Sequence, residues 1–278
     1  MPDQVTNLGN AVIQHGPEND RVYLMKMDPA DAEKTLTDVE TLAKREGYSK
    51  IFAKVPAEAR KIFRACGYTE EACIPRYYHG HNDLHFMSRF LHKTRAVDAE
   101  REQTRDILQL AQGKAGHGNR IKPLPETCQF RVCAETDIPD IVKIYQTVFE
   151  SYPFPIHDPD YIAETMRTHV TYFGIWEDGA LLALSSAERD LAANSVEMTD
   201  FATLPPARGR GFGVHLLQEM EKEMRRQRVH TAYTIARAIS PGMNIVFAKQ
   251  GYNYGGTLIN NTDICGHLES MNIWWKPL

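Results

Sequence analysis

The sequence has no run approaching the roughly 18 consecutive apolar residues that span a bilayer, and no basic segment leading into an apolar one after Met1. Both absences point to a protein that stays in the cytosol. It has no excess of positive charge either, since 36 acidic side chains outweigh 32 basic ones for a net charge of -4. Without a sequence-wide basic field to hold nucleic acid or an anionic membrane, small molecules are the expected partners. Cysteine is sparse: Cys66, Cys73, Cys128, Cys133 and Cys265 are odd in number and form no C-x-x-C pair. That excludes a disulfide framework or zinc ribbon and predicts reduced, mostly buried thiols. What is present is an ordinary globular composition, 42% hydrophobic and 24% charged over 278 residues, long enough for two domains.

The first half reads as alternating α/β. A strand-like run, Val22 to Met25, precedes a helix with Ala32, Leu36, Val39 and Ala43 on one face, closed by Gly47. A strand from Lys50 to Val55, a helix begun by Pro56 and ended at Gly67, and a strand through Ile74 follow. Residues from His92 to Gln112 are densely charged and helix-compatible, and Gly113 to Pro125 has the glycine and proline content of a linker. The expected division is therefore 1–92, 93–126 and 127–278.

The second half opens on a strand (Gln129 to Ala134) and a helix (Asp137 to Phe149) with Ile138, Ile141, Val142 and Tyr145 on one face. A proline-rich loop, a helix to about His169 and three strands (Val170 to Trp176, Ala180 to Ser186, Ser195 to Leu204) come next. Val214, Leu217, Met220 and Met224 mark another amphipathic helix. A strand (Thr231 to Arg237), a short helix ending at Gly251 and two strands complete the chain. Phe63-x-x-x-Gly67-Tyr68 echoes Phe247-x-x-x-Gly251-Tyr252 in the same element order, either by coincidence of two ordinary βα units or because the first half is a relative of the second.

The segment Glu197 to Gly213 carries chemistry. It is a strand leading through prolines into Arg208-Gly209-Arg210-Gly211-Phe212-Gly213 and then a helix. Free main-chain N–H groups at a helix start, with the helix dipole behind them, make an anion site. Glycines let the backbone approach a phosphate without a Cβ in the way. A dinucleotide fingerprint fails because Val214 stands where its third glycine belongs, and a Walker loop would need a lysine that is absent.

Arg208-x-x-Gly211-x-Gly213 matches the acetyl-CoA pyrophosphate loop of the GCN5-related N-acetyltransferase (GNAT) superfamily, R/Q-x-x-G-x-G/A, which the chain resembles from Gln129 onward. More narrowly, NLGNAVIQHGPENDRVYLMKM, FRACGYTEEACIPRYYHG, SYPFPIHDPDYI, MTDFATLPPARGRGFG and ESMNIWWK are similar to the β-lysine N6-acetyltransferase family. The resemblance implies an α/β (α+β) fold, a mixed, mostly antiparallel sheet flanked by helices, preceded by a smaller α/β domain, which is a degenerate GNAT-like unit if the internal echo is real. It implies acetyl-CoA as co-substrate, no metal, and β-lysine as acceptor, giving the compatible solute N6-acetyl-β-lysine in osmoadaptation, with a lysine aminomutase supplying the substrate.

The same resemblance distributes roles. Phe201, Ala202, Thr203 and Leu204 would pair with the pantetheine arm. Arg208, Gly209, Arg210, Gly211, Phe212 and Gly213 would hold the pyrophosphate, and Asn244 and Phe247 would complete the cofactor site. Glu197 would be the general base, since a lysine-type ammonium with a pKa near 10.4 must lose a proton before attack. Asp200, on the opposite side of an ideal strand, is a weaker candidate for the acceptor cation, as is Asp158 in the proline-rich loop. Many members carry a tyrosine proton donor where Phe247 stands here, leaving Tyr252, or Tyr254 nearby, as substitutes. His79, His81 and His85 with Asp83 lack a Cys or Glu at ligand spacing, so no metal is expected, and Trp274 and Trp275 read as a terminal core strand. Rival functions are acetylation of a polyamine, another diamine or a protein lysine, and a non-catalytic acyl-CoA sensor.

Overall fold

The computed structural model describes residues 3–116 and 123–278, so that part of the expected linker, 117–122, lies outside the described residues. The first half contains β1 (Gln4–Leu8), β2 (Ala11–Gly16), β3 (Arg21–Lys26), α1 (Ala32–Glu46), β4 (Lys50–Pro56), α2 (Arg60–Ala65), β5 (Thr69–Tyr78) and β6 (Asn82–Phe90). After α3 (Arg101–Gln112), the second half contains β7 (Cys128–Val132), α4 (Ile138–Val148), α5 (Pro159–Thr168), β8 (Val170–Glu177), β9 (Ala180–Asp190) and β10 (Ser195–Thr203). It ends with α6 (Phe212–Arg226), β11 (Thr231–Arg237), α7 (Pro241–Lys249), β12 (Asn253–Ile264) and β13 (His267–Pro277).

The thirteen strands of the described residues share one sheet, ordered β1-β2-β3-β4-β6-β5-β12-β13-β11-β10-β9-β8-β7. Pairing is antiparallel except at β3–β4 and β10–β11, one parallel pair in each half. The order repeats: β2-β3-β4-β6-β5 in the first half corresponds to β9-β10-β11-β13-β12 in the second, with α1 and α2 placed in sequence as α6 and α7 are. The echoed residues occupy equivalent corners. Phe63 and Tyr68 meet edge-on at 5.0 Å, and Phe247 and Tyr252 at 4.9 Å. The helical periodicities bury the faces they predicted, Leu36, Val39 and Ala43 of α1 in the first core and Leu217, Met220 and Met224 of α6 in the second.

Several expectations need correction. Pro56 ends β4 rather than opening α2, because its carbonyl starts the turn into the helix by accepting from Ala59 N–H. The β1–β2 hairpin and β6 were not anticipated; β1 is almost wholly exposed and carries no alternating apolar signal. The cysteines are all free, as expected, but only Cys133 is buried, while Cys66 and Cys265 are exposed. The charged segment before the linker forms α3, whose Ala111 and Leu108 pack into the core of the second half. Among the described residues no helix is long and apolar enough to cross a membrane.

The halves join where β12 meets β5, with Gly256 opposite Ala72. A Cβ on Gly256 would lie 2.2 Å from the Glu71 carbonyl oxygen and one on Gly255 2.7 Å from that of Cys73, so side chains are excluded there by close backbone approach. Beyond Leu258 the strand bulges away from β13 until Thr262. Buried groups of the first half take up the freed backbone: Lys50 Nζ donates to the Ile259 carbonyl at 2.8 Å and Glu71 accepts from Ile259 N–H at 2.7 Å. Lys50 and Glu71 are themselves ion-paired at 2.9 Å. One-sided loss of such a buried pair leaves an uncompensated charge.

Candidate active site

β10 and β11 run parallel for only three registered pairs, Ser195–Thr231, Val196–Ala232 and Glu197–Tyr233, and then part. On its other side β10 stays paired with β9 but slips register between Thr199 and Ala202. The slip is a bulge whose residue Asp200 has φ of 54°. The parting leaves a slot between two strands of one sheet, and a cavity of about 490 Å³ opens at this level. Its walls come from both halves: Tyr23, Phe52 and Lys54 on one side, Glu188, Glu197 and Asp200 on the other.

Glu197 is flanked in register by Glu188 on β9 and Tyr233 on β11, so the three share one sheet face. Burial pushes the Glu197 carboxyl up to about 7; Lys54 pulls against that shift, and the neighbouring Glu188 and Asp200 charges add to it. Lys54 Nζ donates to the Tyr233 hydroxyl at 2.9 Å. A carboxylate poised near neutrality beside a cavity is suited to taking a proton.

The bulge corrects one expectation. An ideal strand would turn Asp200 away from Glu197, but the left-handed residue rotates it into the same cavity. There its carboxylate accepts from the Tyr152 hydroxyl and, at 2.5 Å, from Ser186 Oγ. Burial raises its pKa while those two hydrogen bonds oppose the rise. Asp158 is not brought to the cavity. It is the exposed N-cap of α5, its Oδ1 accepting from Asp160 N–H at 3.0 Å. The loop it belongs to does reach the site through Tyr152, Pro153, Phe154 and Ile156, anchored by Gln14 Nε2 donating to the Pro153 carbonyl at 2.8 Å.

The glycine turn has the shape the motif requires. Gly209 and Gly211 have φ of 81° and 84°, and a Cβ on either would meet nothing within 4 Å. Gly211 is the N-cap of the 15-residue α6 and supplies no capping side chain, so the first N–H groups of the helix carry no side-chain cap. Gly213 is helical, and a Cβ there would touch only Met243 Sδ at 3.8 Å. Phe212, by contrast, is buried in the core. The two arginines differ. Arg208 is exposed and borders the cavity, whereas Arg210 is clamped by both oxygens of Glu177 at 2.8 and 2.7 Å, which holds it off the turn.

The slot and the turn fit acetyl-CoA. The β10 edge at Phe201 and Thr203, turned from β9 and past the last β11 pair, can receive an amide-bearing arm, while Ala202 and Leu204 are engaged with β9. A Cβ-free helix start suits a pyrophosphate. Phe201 and Phe247 meet edge-on at 5.7 Å and both border the cavity. Ala202, expected to contact the cofactor, is instead fully buried and paired with Leu184 on β9, so it holds the strand in place and offers nothing to the slot. Asn244 is committed elsewhere. Its amide nitrogen donates to the carbonyls of Arg237 and Ser240, and its oxygen accepts from Asn272 and Trp274, locking α7 to β11 and β13.

Tyr252 does not reach the cavity. It is 3% exposed and lies behind Phe247, with burial and then Glu221 raising its phenol well above the usual range. Tyr254 is likewise turned away, its hydroxyl 2.6 Å from Thr257 Oγ1. The tyrosines at the cavity are Tyr23, Tyr152, Tyr161 and Tyr172. His79 and His81 sit at the β5–β6 turn, while pairing places buried His85 opposite Cys73 and near Glu70. Their ligand atoms lie within 4.8 Å of one another. Yet Glu70 is ion-paired with Arg60 at 2.6 Å and burial pushes the Cys73 thiol up to about 11, a poor donor set for a cation.

The acetyltransferase (GNAT) family model matches residues 138–252. The chain is 39% identical to the β-lysine N6-acetyltransferase of Methanococcus maripaludis over 274 residues, 99% of this chain and 98% of that protein. It is 33% identical to the enzyme of the same name from Methanosarcina mazei, covering 86% of this chain and 95% of that one. It is also 33% identical to the N-acetyltransferase YodP of Bacillus subtilis, covering 96% of each.

Proposed function

Since the chain belongs to the GNAT acetyltransferase family and is an acetyl-CoA-dependent N-acetyltransferase, we propose that it acetylates the terminal amine of β-lysine, yielding N6-acetyl-β-lysine. The observation that carries the acceptor is the similarity to two β-lysine N6-acetyltransferases along nearly the whole chain, including the first half that walls the cavity. Acetylation removes one positive charge and leaves a net-neutral zwitterion, which suits a cytosolic compatible solute accumulated in osmoadaptation. An aminomutase acting on lysine would then supply the acceptor.

Bound acetyl-CoA supplies a thioester-activated acetyl group. The β10 edge at Phe201 and Thr203, which has no β11 partner, holds the pantetheine arm, and the α6 N-terminus with Gly209, Gly211, Gly213 and Arg208 holds the pyrophosphate. Asp200, braced by Tyr152 and Ser186, faces the acceptor's ammonium groups. Glu197 takes the proton of the attacking amine, directly or through water. Neither Tyr252 nor Phe247 donates to the leaving thiolate, which takes its proton from solvent.

The first half is read as a degenerate acetyltransferase unit; its repeated strand order and equivalent Phe–Tyr corner support this, as does the lack of a glycine turn after β3. Its task is to wall the acceptor pocket and supply Lys54 to Glu197. Replacing Lys54 with Met removes the cation that opposes the upward shift of Glu197. The acid limb of kcat/KM should then move above pH 7, with rate recovering at alkaline pH; a pH–rate profile reads it, and an unmoved limb refutes the coupling.

Competition of β-lysine, α-lysine and spermidine at equal concentration tests the acceptor. The expected product is N6-acetyl-β-lysine by mass spectrometry, with kcat/KM at least tenfold above the others, because buried groups left unmatched by the wrong amine cost binding. Spermidine as best substrate would replace β-lysine by a polyamine.

A further inference from the structure

One buried cation at the cavity lacks an anion. Arg21 on β3 is 4% exposed and borders the cavity, yet among the described residues no carboxylate lies within ion-pair distance of it. Its partners are neutral: the Asn261 carbonyl, Thr262 Oγ1 at 3.4 Å and Gln14 Oε1 at 3.4 Å, while its Nε is buried without a hydrogen bond. Its neighbours are treated differently. Lys50 is paired with Glu71 at 2.9 Å and Arg95 with Asp20 at 3.4 Å.

An unpaired buried charge is costly, so a guanidinium kept in such a place is expected to meet an anion in the working protein. Burial lowers its pKa only to about 10, leaving it cationic at neutral pH. The Tyr23 and Phe52 rings flank it at 5.3 and 5.6 Å, fixing the guanidinium plane. The same cavity carries Glu188, Glu197 and Asp200 on its second-half wall. It therefore suits a ligand with ammonium groups and, at one end, a planar anion that a guanidinium can bind through two N–H groups.

We propose that Arg21 binds the carboxylate of the acceptor amino acid, so that the first half selects an amino acid over a simple diamine. This rests on the reading of the acceptor as β-lysine. The probe is 1,4-diaminopentane, which is β-lysine without its carboxylate. For the full-length enzyme, kcat and KM are measured with both amines in wild type, Arg21→Met and Arg21→Lys, with acetyl-CoA affinity by calorimetry and melting temperature as controls.

Arg21→Met should raise KM for β-lysine about a hundredfold, more than it changes kcat, and cut the kcat/KM ratio of β-lysine to diaminopentane by a similar factor. Arg21→Lys should restore part of that ratio, and acetyl-CoA affinity should stay put. An unchanged ratio in Arg21→Met, including equal loss of both substrates with a lower melting temperature, overturns the proposal and leaves Arg21 as a prop for the β12 bulge. If wild type does not acetylate β-lysine, the acceptor reading fails separately. Arg21 is then judged on the amine the enzyme prefers: a carboxylate-bearing amine whose advantage disappears in Arg21→Met upholds it, and preference for a polyamine sinks it.

Discussion

Glu197→Gln should lower turnover at pH 7 by on the order of a hundredfold or more while leaving acetyl-CoA affinity almost unchanged. The substitution keeps the shape of the side chain and its place between Glu188 and Tyr233, but an amide cannot take the ammonium proton. Its pH dependence distinguishes a base from a prop. Burial holds the carboxyl up at about 7, and only the ionised form accepts a proton, so wild-type kcat/KM should fall as pH drops through 7. In the variant that limb should vanish and the rate should climb toward the pKa of the amine, near 10.4, where free base is abundant. A pH–rate profile with intact limb and near-normal turnover in Glu197→Gln would make Glu197 structural. The position of the limb also reports the environment: a solvated carboxylate would place it near 4.5, and the displacement comes from desolvation and the Glu188 and Asp200 charges against Lys54.

What the sequence revealed was local, and what it hid was long-range. Arg208-x-x-Gly211-x-Gly213 encodes a turn and a helix start in six residues, so its backbone shape follows from residue type. The alternation of apolar residues located β8 to β11, and the echo of Phe63 in Phe247 pointed to a repeated topology. Asp200 was misplaced because a strand period assumes no bulge, and nothing in Thr199-Asp200-Phe201 announces one. Asp158 was legible after all: Asp followed by Pro at the first helical position is a capping signal, and a capping carboxylate is already engaged. Tyr252 and Asn244 fail for another reason, since distance along the chain from a motif says nothing about which side of α7 faces the slot. Arg21, Tyr23 and Lys54 are brought to the cavity by the joining of two half-sheets, a contact no local pattern carries. One trace existed: Lys54 is a lone cation within the apolar run Ile51 to Val55. Such a residue is rarely buried without a task.

One acetyl-CoA should bind per chain, to the second half alone, even though the halves repeat the same strand order. At the position equivalent to the glycine turn, β3 runs into Asp28, Pro29, Ala30 and Asp31. The Asp28 carboxylate accepts from Ala30 N–H at 2.9 Å, and Asp31 is held by Asn10 at 2.8 Å. The amide an anion would use is already taken, and two carboxylates would repel a pyrophosphate. Calorimetric titration of acetyl-CoA into the intact protein should therefore give a stoichiometry of one. Gly211→Val tests where that site lies, but φ of 84° means a β-branched residue also strains the turn. Gly211→Asn separates the effects, because asparagine tolerates left-handed backbone while projecting a side chain into the open space before α6. Affinity should fall at least tenfold in Gly211→Asn, with a melting temperature within a few degrees of wild type, and further in Gly211→Val. Two sites per chain, or one site of undiminished affinity in a folded Gly211→Asn, would place a cofactor loop in the first half.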